Sequence, residues 1–150
     1  MDSSINPTYH KRLFSLLLSF IWIVGICFMV FQYFREKDVK SDNINSQLQL
    51  CNNHIIRAIE GGNSYETGIS ACYFPFEDIR VTIIETDGDV VYDSKYDAAS
   101  LDNHLSRPEV GSASATGTGY HISRQSSSDG KQYFYSATRG NDIIVRCAVP

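Results

Sequence analysis

Residues 13–31, LFSLLLSFIWIVGICFMVF, contain no charged side chain and decide the architecture of this 150-residue chain. At a rise of 1.5 Å per residue, a helix of this length spans about 28 Å, which is close to the hydrocarbon thickness of a bilayer. Bulky Phe28, Met29 and Phe31 stand where a signal peptidase would need small residues, so we expect the helix to be retained as an anchor. The alternative, a helix buried in a soluble core, fits this length less well.

The charges that flank this stretch predict its orientation. Basic residues occur on both sides, so the positive-inside rule discriminates only weakly, but a short head followed by a long tail is typical of a signal anchor. We expect residues 1–12 to be a cytoplasmic head and residues 13–34 to be a single transmembrane helix in the lipid of the cytoplasmic (inner) membrane. The chain after about residue 34 is then extracytoplasmic.

The overall charge limits the class of partner. The formal net charge is −4, and no basic cluster follows the apolar stretch. Because nucleic-acid binding depends on such a cluster, we expect no nucleic-acid partner.

Four cysteines are present, and Cys27 lies within the apolar stretch, which leaves Cys51, Cys72 and Cys147 outside it. Three thiols cannot all pair within one chain, so one disulfide with a free cysteine and three free thiols both fit. No pair has the C-x-x-C spacing of a zinc site or a redox motif, so no metal ligands are predicted.

Residues 35–62 are predicted to form a membrane-proximal amphipathic helix. Apolar residues recur at steps of four, three, four and four, which is the spacing of one helical face. They are Ile44, Leu48, Cys51, Ile55 and Ile59. No proline or glycine interrupts residues 32–60, so the transmembrane helix is expected to continue into this one, and Gly61-Gly62 to end it. The apolar face can pack on its own domain or on a second copy of the chain, and we favour its own domain.

Residues 63–150 are predicted to form a domain with five antiparallel strands. The strand-like runs are residues 79–85, 90–92, 120–126, 132–138 and 143–149. Asp87-Gly88 is the strongest hairpin signal, and both residues are expected to take positive φ. Ser128-Asp129-Gly130 and Gly140-Asn141 predict two further turns.

An insert, residues 95–119, separates the second and third predicted strands. Arg107-Pro108-Glu109-Val110 predicts a short helix with proline at its first position, and Gly117 loosens the chain after it. Strand, hairpin, helical insert and three meandering strands follow each other as in a PAS-like or Cache-like fold. We therefore predict an α+β protein whose five-stranded sheet has the order 2-1-5-4-3, an analogy of fold that implies no activity by itself.

One series of motifs resembles a known family. The motifs are Asp87-Gly88-Asp89-Val90-Val91-Tyr92-Asp93-Ser94, Asn103-His104-x-x-Arg107-Pro108-Glu109-Val110, Gly117-x-Gly119 and Arg124-x-Ser126. Over residues 81–148 this order resembles the extracytoplasmic sensor domain of PhoR-type sensor histidine kinases. The resemblance implies a homodimer with a second membrane span. It also implies a cytoplasmic kinase that uses ATP and Mg and passes phosphate from its own histidine to a cognate response regulator.

The expected function is therefore that of the signal-input region of a two-component membrane kinase. These 150 residues hold no catalytic apparatus for that kinase, because no histidine lies in a His-Glu-x-x-x-Thr-Pro context and no nucleotide-binding segment follows. We expect no cofactor in this segment, since ATP and Mg would bind only to a kinase core outside it. Whether the chain is the front of a kinase or free-standing stays open. The alternative function is a membrane-anchored extracytoplasmic interaction domain without kinase output.

The motifs contain a candidate ligand or latch cluster, which consists of Asp93, Asn103, His104, Arg107, Glu109 and Arg124. As a latch, which we favour, Asn103 caps backbone N–H groups of the short helix and Arg107 pairs with a carboxylate. Glu109, Asp93 and Asp102 are the candidate acceptors. As a ligand site, Arg107 and Arg124 converge on an anion beside His104, which titrates near neutrality. Catalysis by His104 ranks last, because no serine or cysteine nucleophile stands in a recognisable setting.

Overall fold

The computed structural model describes residues 7–126 and 130–150, with side chains from residue 9 onward. Its helices are α1 (Pro7–Glu60), α2 (Tyr65–Ser70) and α3 (Pro108–Thr116), and a 3₁₀ turn covers Ala98–Ser100. Its strands are β1 (Arg80–Glu85), β2 (Val90–Asp93), β3 (Thr118–Gln125), β4 (Gln132–Arg139) and β5 (Ile143–Val149). The chain divides into two compact units, of which the first ends at Lys40 and the second is Ser41–Pro150.

The first unit consists of the N-terminal part of α1. Its large apolar side chains, including those of Phe14, Trp22 and Met29, are exposed. Of the helices in the described part of the chain, α1 alone is long and apolar enough to cross a membrane, and none of its most apolar part is buried. The helix begins at Pro7, inside the predicted head, whose residues 1–6 lie outside the described residues.

The C-terminal part of α1 belongs to the second unit and packs on the sheet. Leu48, Cys51 and Ile55 are buried in one core with strand residues, and Ile44 and Ile59 pack against that core. The predicted stripe is therefore confirmed, and it packs on its own domain. The helix ends at Glu60, as predicted. Gly62 has φ +93°, and the N–H groups of residues 61–63 bond back to carbonyls of the last turn, so the orphan carbonyls of the helix end are satisfied.

All neighbouring strands of the sheet are antiparallel, and their order is β2-β1-β5-β4-β3, as predicted. The last strand, β5, is central, and all seven of its residues are buried. The core with α1 includes Val81, Ile83 and Val145, whereas a second cluster includes Ile84 and Ile144 together with Val110 of α3. The sheet is thus covered by helices on both faces, which explains the continuous apolar runs of β1 and β5.

The turn between β1 and β2 differs from its prediction. Gly88 has φ +97°, but Asp87 does not take positive φ. The Gly88 N–H bonds to the Glu85 carbonyl at 2.9 Å, the Glu85 N–H bonds to the Asp89 carbonyl at 2.8 Å, and the register shifts between Ile83 and Ile84. The connection is therefore not the predicted two-residue turn. It is a longer hairpin loop in which a turn is followed by a glycine in the left-handed conformation that forms a bulge, so only one residue needs positive φ.

Three further features depart from the sequence analysis. The six-residue helix α2, capped by the Ser64 side chain, was not predicted. The insert helix α3 is nine residues long; it starts with Pro108 as predicted and ends at Gly117, which has φ +91°. The turn predicted at Ser128-Asp129-Gly130 lies outside the described residues except for Gly130, whose φ is +71°.

The three cysteines of the second unit lie in or against the same apolar core, and each is a free thiol. The thiols of Cys51 and Cys72 both lie 3.8 Å from the carbonyl oxygen of Tyr73. Burial raises the pKa of Cys51 and raises the pKa of Cys72 to about 12, so little thiolate is present at neutral pH.

We expect mild oxidation to join Cys51 to Cys72 and to leave Cys147 reduced. The thiolate is the attacking species, so the reaction should be slow at pH 7 and accelerate by up to about tenfold per pH unit. Non-reducing peptide mapping identifies the bond, with Cys147→Ser as the control that should not alter it. A bond that contains Cys147, or a rate independent of pH, would contradict this expectation.

Candidate functional site

Polar side chains cover the sheet face that lies opposite α1. Successive residues of a strand point to opposite faces, so Val81 lies in the α1 core while Arg80 and Thr82 face the insert. Arg146 of β5 is the register partner of Thr82, and its Nη2 donates to Thr82 Oγ1 at 3.1 Å. Strand alternation therefore places two arginines beneath the insert.

Two alanines in the sheet leave room for these long side chains. Ala148 of β5 stands between Arg80 and Tyr135 in the register, and Ala137 of β4 stands beside Arg146. Both alanines are buried. The guanidinium groups can therefore lie over the sheet without displacing a neighbouring side chain.

Asp93, at the end of β2, fixes Arg80. The Arg80 Nε lies 3.0 and 2.9 Å from the two carboxylate oxygens of Asp93, and Thr82 Oγ1 donates to the same carboxylate at 2.8 Å. The backbone N–H groups of Lys95 and Tyr96 donate to it at 2.9 and 3.1 Å. The carboxylate is fully buried, so these charge-assisted bonds hold the start of the insert against β1 and β2.

Glu109, in the first turn of α3, is shared by two arginines. Its Oε1 accepts a hydrogen bond from Arg124 Nη2 at 2.7 Å and one from Arg146 Nη1 at 3.3 Å. Its Oε2 is buried and has no hydrogen-bond partner among the described residues. One carboxylate oxygen thus ties α3 to both β3 and β5.

The ring of Tyr135 supports the same two cations. The Arg124 Cζ lies 4.3 Å from the ring centroid and the Arg146 Cζ lies 5.0 Å from it, both within the range of a cation–π interaction. Burial lowers the pKa of Arg146 to about 10, although Glu109 opposes that shift. Arg146 therefore stays protonated at neutral pH.

His104 lies in the insert with only 4 % of its surface exposed. Its Nδ1 is buried and has no hydrogen-bond partner in the described part of the chain. Burial, together with the positive charges of Arg146, Arg107, Arg80 and Arg124, lowers the pKa of His104 to about 3. The imidazole is therefore neutral at physiological pH.

A cavity of about 10 Å³ lies where these groups meet. The described residues that line it are Arg80, His104, Arg107, Arg124, Ser126, Tyr135 and Arg146. A volume of this size holds about one water-sized group. Its wall offers hydrogen-bond donors and positive charge, which suits the binding of an anion better than nucleophilic catalysis.

The structure brings five of the six predicted cluster residues to this region but connects them differently. Asp93 bonds Arg80, and Glu109 bonds Arg124 and Arg146. We predicted that one of these carboxylates would pair with Arg107, and the structure pairs them with arginines of the strands instead. Those arginines are distant in the sequence, so spacing within the insert could not identify them. Asp102, the third candidate acceptor, is exposed.

Asn103 has a different role from the predicted helix cap. Its Oδ1 accepts a hydrogen bond from the Leu105 N–H at 2.9 Å, and its Nδ2 donates to the Asp87 carbonyl and to Asp89 Oδ1 at 3.0 and 2.7 Å. The α3 N-cap is Arg107, which makes no side-chain capping bond. Asn103 therefore ties the insert to the β1–β2 turn, outside the cavity.

Five residues of the site lie outside the cluster predicted from the sequence: Arg80, Thr82, Ser126, Tyr135 and Arg146. The arginines could have been found from the sequence, because a charged residue within or beside an otherwise apolar strand is unusual, as in IIVRCAV around Arg146. A strand that is buried on both faces offers such a charge no solvent, so a buried partner has to exist.

Stability should depend on pH through His104. The unfolded chain binds a proton below a pKa of about 6.5, whereas the folded protein resists protonation until about pH 3. The contribution of His104 to the free energy of unfolding is thus fully present above pH 6.5. It falls as the pH is lowered toward 3, by up to about 1.4 kcal/mol per pH unit. Denaturant unfolding at pH 4.5 to 7.5 measures this dependence. His104→Gln should flatten the curve in this window, and an unchanged curve would contradict the assignment.

The described residues include no group of three or more His, Cys, Asp or Glu side chains that could hold a metal ion. No protein family, no curated protein and no solved structure matches the chain.

Proposed function

We propose that the chain is the signal-input region of a two-component membrane sensor histidine kinase. In this proposal the apolar part of α1 anchors it in the cytoplasmic membrane with the amino terminus in the cytoplasm. The unit Ser41–Pro150 lies outside the cytoplasm as a PAS-like or Cache-like sensor domain.

One observation carries the proposal: a single helix contains both the membrane-length apolar stretch and the stripe that forms the domain core. α1 runs from Pro7 to Glu60, and Leu48 and Ile55 within it are fully buried against the sheet. A change in sheet packing would therefore alter the environment of the same helix that enters the membrane. Such a relay requires a cue that binds two domain states with different affinity.

The motif segment supports the choice of a sensor domain. Asn103 ties the insert to the β1–β2 turn, Glu109 ties it to β3 and β5, and a cavity of about 10 Å³ lies between the insert and the sheet. In this proposal a cue bound there would change how the insert packs on the sheet. A homodimer, a cytoplasmic kinase that uses ATP and Mg, and a response regulator belong to the proposal through the family resemblance.

The proposal is tested on the native polypeptide in membranes of its source. An antibody against the sheet domain should detect a membrane protein much larger than 16.9 kDa. After immunoprecipitation, that protein should take the γ-phosphate of ATP onto histidine. A mature polypeptide of 16.9 kDa that takes up no phosphate would contradict the kinase proposal.

A second candidate is an interaction domain without kinase output, and the edge strand β3 favours it. Among the described strands, none pairs with one side of β3, and Tyr120 and Ile122 are partly exposed. An edge of this kind can pair with a strand of another protein. The same immunoprecipitation separates the candidates, because this one predicts a co-purifying protein that is lost on Ile122→Lys and predicts no phosphohistidine.

A further inference from the structure

We propose that the cavity between the sheet and the insert is a binding site for a small oxyanion, whose charged group is held by Arg107, Arg124 and Arg146. The ligand class comprises inorganic phosphate, inorganic sulfate and the carboxylate of a small organic acid. Their shared chemistry is an oxyanion edge, which a planar guanidinium recognises with two parallel hydrogen bonds.

The first argument is the composition of the wall. Four guanidinium groups line the cavity, and no carboxylate is among the described residues that line it. Two carboxylates contact these arginines from outside the lining: Asp93 bonds Arg80 through both oxygens, and Glu109 offers one oxygen to Arg124 and Arg146. Among the described residues, positive charges at the cavity therefore outnumber the carboxylates that contact them.

The second argument is the set of buried polar atoms that lack hydrogen-bond partners. The Nε atoms of Arg124 and Arg146 and the Nδ1 of His104 are buried and have no hydrogen-bond partner in the part of the chain that the structure describes. The side chain of Arg146 is 3 % exposed, and His104 is 4 % exposed. Unsatisfied buried donors are costly, and an oxyanion supplies acceptors for the Nε–H groups of Arg124 and Arg146.

The third argument is size and access. The cavity has room for about one oxygen atom of a ligand, so only the charged end of an anion fits inside. Arg107 and Arg124 are only partly buried, in contrast to Arg80 and Arg146, so they are the arginines of the lining that solvent reaches. The remainder of the anion can contact them there, and this arrangement favours small anions.

This site does not depend on the kinase assignment. Anion binding is a property of the second unit alone and requires no phosphotransfer. A failure of the binding experiment would leave the proposed sensor function standing, and a free-standing chain without kinase activity would leave the anion site standing.

The test is calorimetric titration of the detergent-solubilised full chain with sodium phosphate, sodium sulfate and sodium acetate in turn, at constant ionic strength maintained with sodium chloride. We expect saturable binding of one anion per chain for at least one of the three. Preference for phosphate or sulfate identifies a tetrahedral ligand, and preference for acetate identifies a carboxylate. Arg107→Gln should weaken the binding about ten- to a hundredfold through loss of charge-assisted hydrogen bonds.

Two variants sharpen the result. Arg57→Gln removes an exposed positive charge from α1, far along the chain from the cavity residues, and should leave the affinity unchanged. Arg107→Lys keeps the charge without the planar fork and should give an intermediate affinity. If Arg107→Gln does not fold, the lysine variant decides. The absence of saturable binding in the folded wild-type chain, or wild-type affinity in both Arg107 variants, would overturn the proposal.

Discussion

Glu109→Gln is expected to lower the free energy of unfolding by about 3–5 kcal/mol, because it leaves two buried or nearly buried guanidinium groups without their carboxylate. Glu109 is fully buried, and the side chains of Arg146 and Arg124 are 3 % and 16 % exposed. Glutamine preserves the shape of the side chain, so the loss reports the charge rather than a cavity. Guanidinium unfolding of the detergent-solubilised chain, followed by near-ultraviolet circular dichroism, measures the effect.

Glu77→Gln is the matched control for Glu109→Gln. Glu77 is exposed and forms no salt bridge among the described residues, so its replacement should change the free energy of unfolding by less than about 0.5 kcal/mol. A double-mutant cycle with Arg146→Met should give a non-zero interaction free energy between the two positions. Replacing Arg146 should cost less stability when Glu109 has already been replaced, because their ion pair is then absent. Equal effects of the two glutamine variants would contradict the role given to Glu109.

Asp93→Asn is expected to have a similarly large effect, again about 3–5 kcal/mol, because Arg80 would lose its buried carboxylate. The Asp93 side chain accepts hydrogen bonds from Arg80, from Thr82 and from two backbone N–H groups at the start of the insert. Asparagine has one carbonyl oxygen in place of the two carboxylate oxygens, so it cannot accept all of these bonds. The same unfolding measurement applies.

Asp142→Asn is the control for Asp93→Asn, since Asp142 is exposed next to β5. We also expect Asp93→Asn to loosen the insert locally, which faster hydrogen exchange at the Lys95 and Tyr96 amides would report. Wild-type exchange at these amides, together with wild-type stability, would show that Asp93 does not fix the insert.

Much of the fold could be predicted because it depends on local patterns. The stripe through Leu48 and Ile55 has helical spacing, and Gly62 ends the helix by its left-handed conformation. Each of these signals lies within a few residues of the feature it predicts. The sheet order is not local, and its correct prediction came from analogy with the element order of PAS-like or Cache-like folds. The short helix α2 was not predicted, because its six residues carry no periodic apolar face.

The partners within the site could not be predicted for the opposite reason. Glu109 meets Arg124 and Arg146, which are 15 and 37 residues away in the chain, and both contacts depend on strand order and register. Residues near in sequence, such as Arg107 and Glu109, suggested a shorter-range pair. The sequence identified the right insert residues, whereas the strand arginines beneath them required the assembled sheet.

The most direct test of the central claim, a membrane anchor that carries an external domain, is labelling of single engineered cysteines in cells with an intact cytoplasmic membrane. In a variant whose four native cysteines are replaced by serine, a cysteine at the exposed position 142 should react with a membrane-impermeant maleimide. A cysteine at position 3 should react only after the membrane is opened, and both forms should remain in the membrane fraction after an alkaline wash. A chain recovered in the soluble fraction, or a position 142 protected until the membrane is opened, would contradict the account.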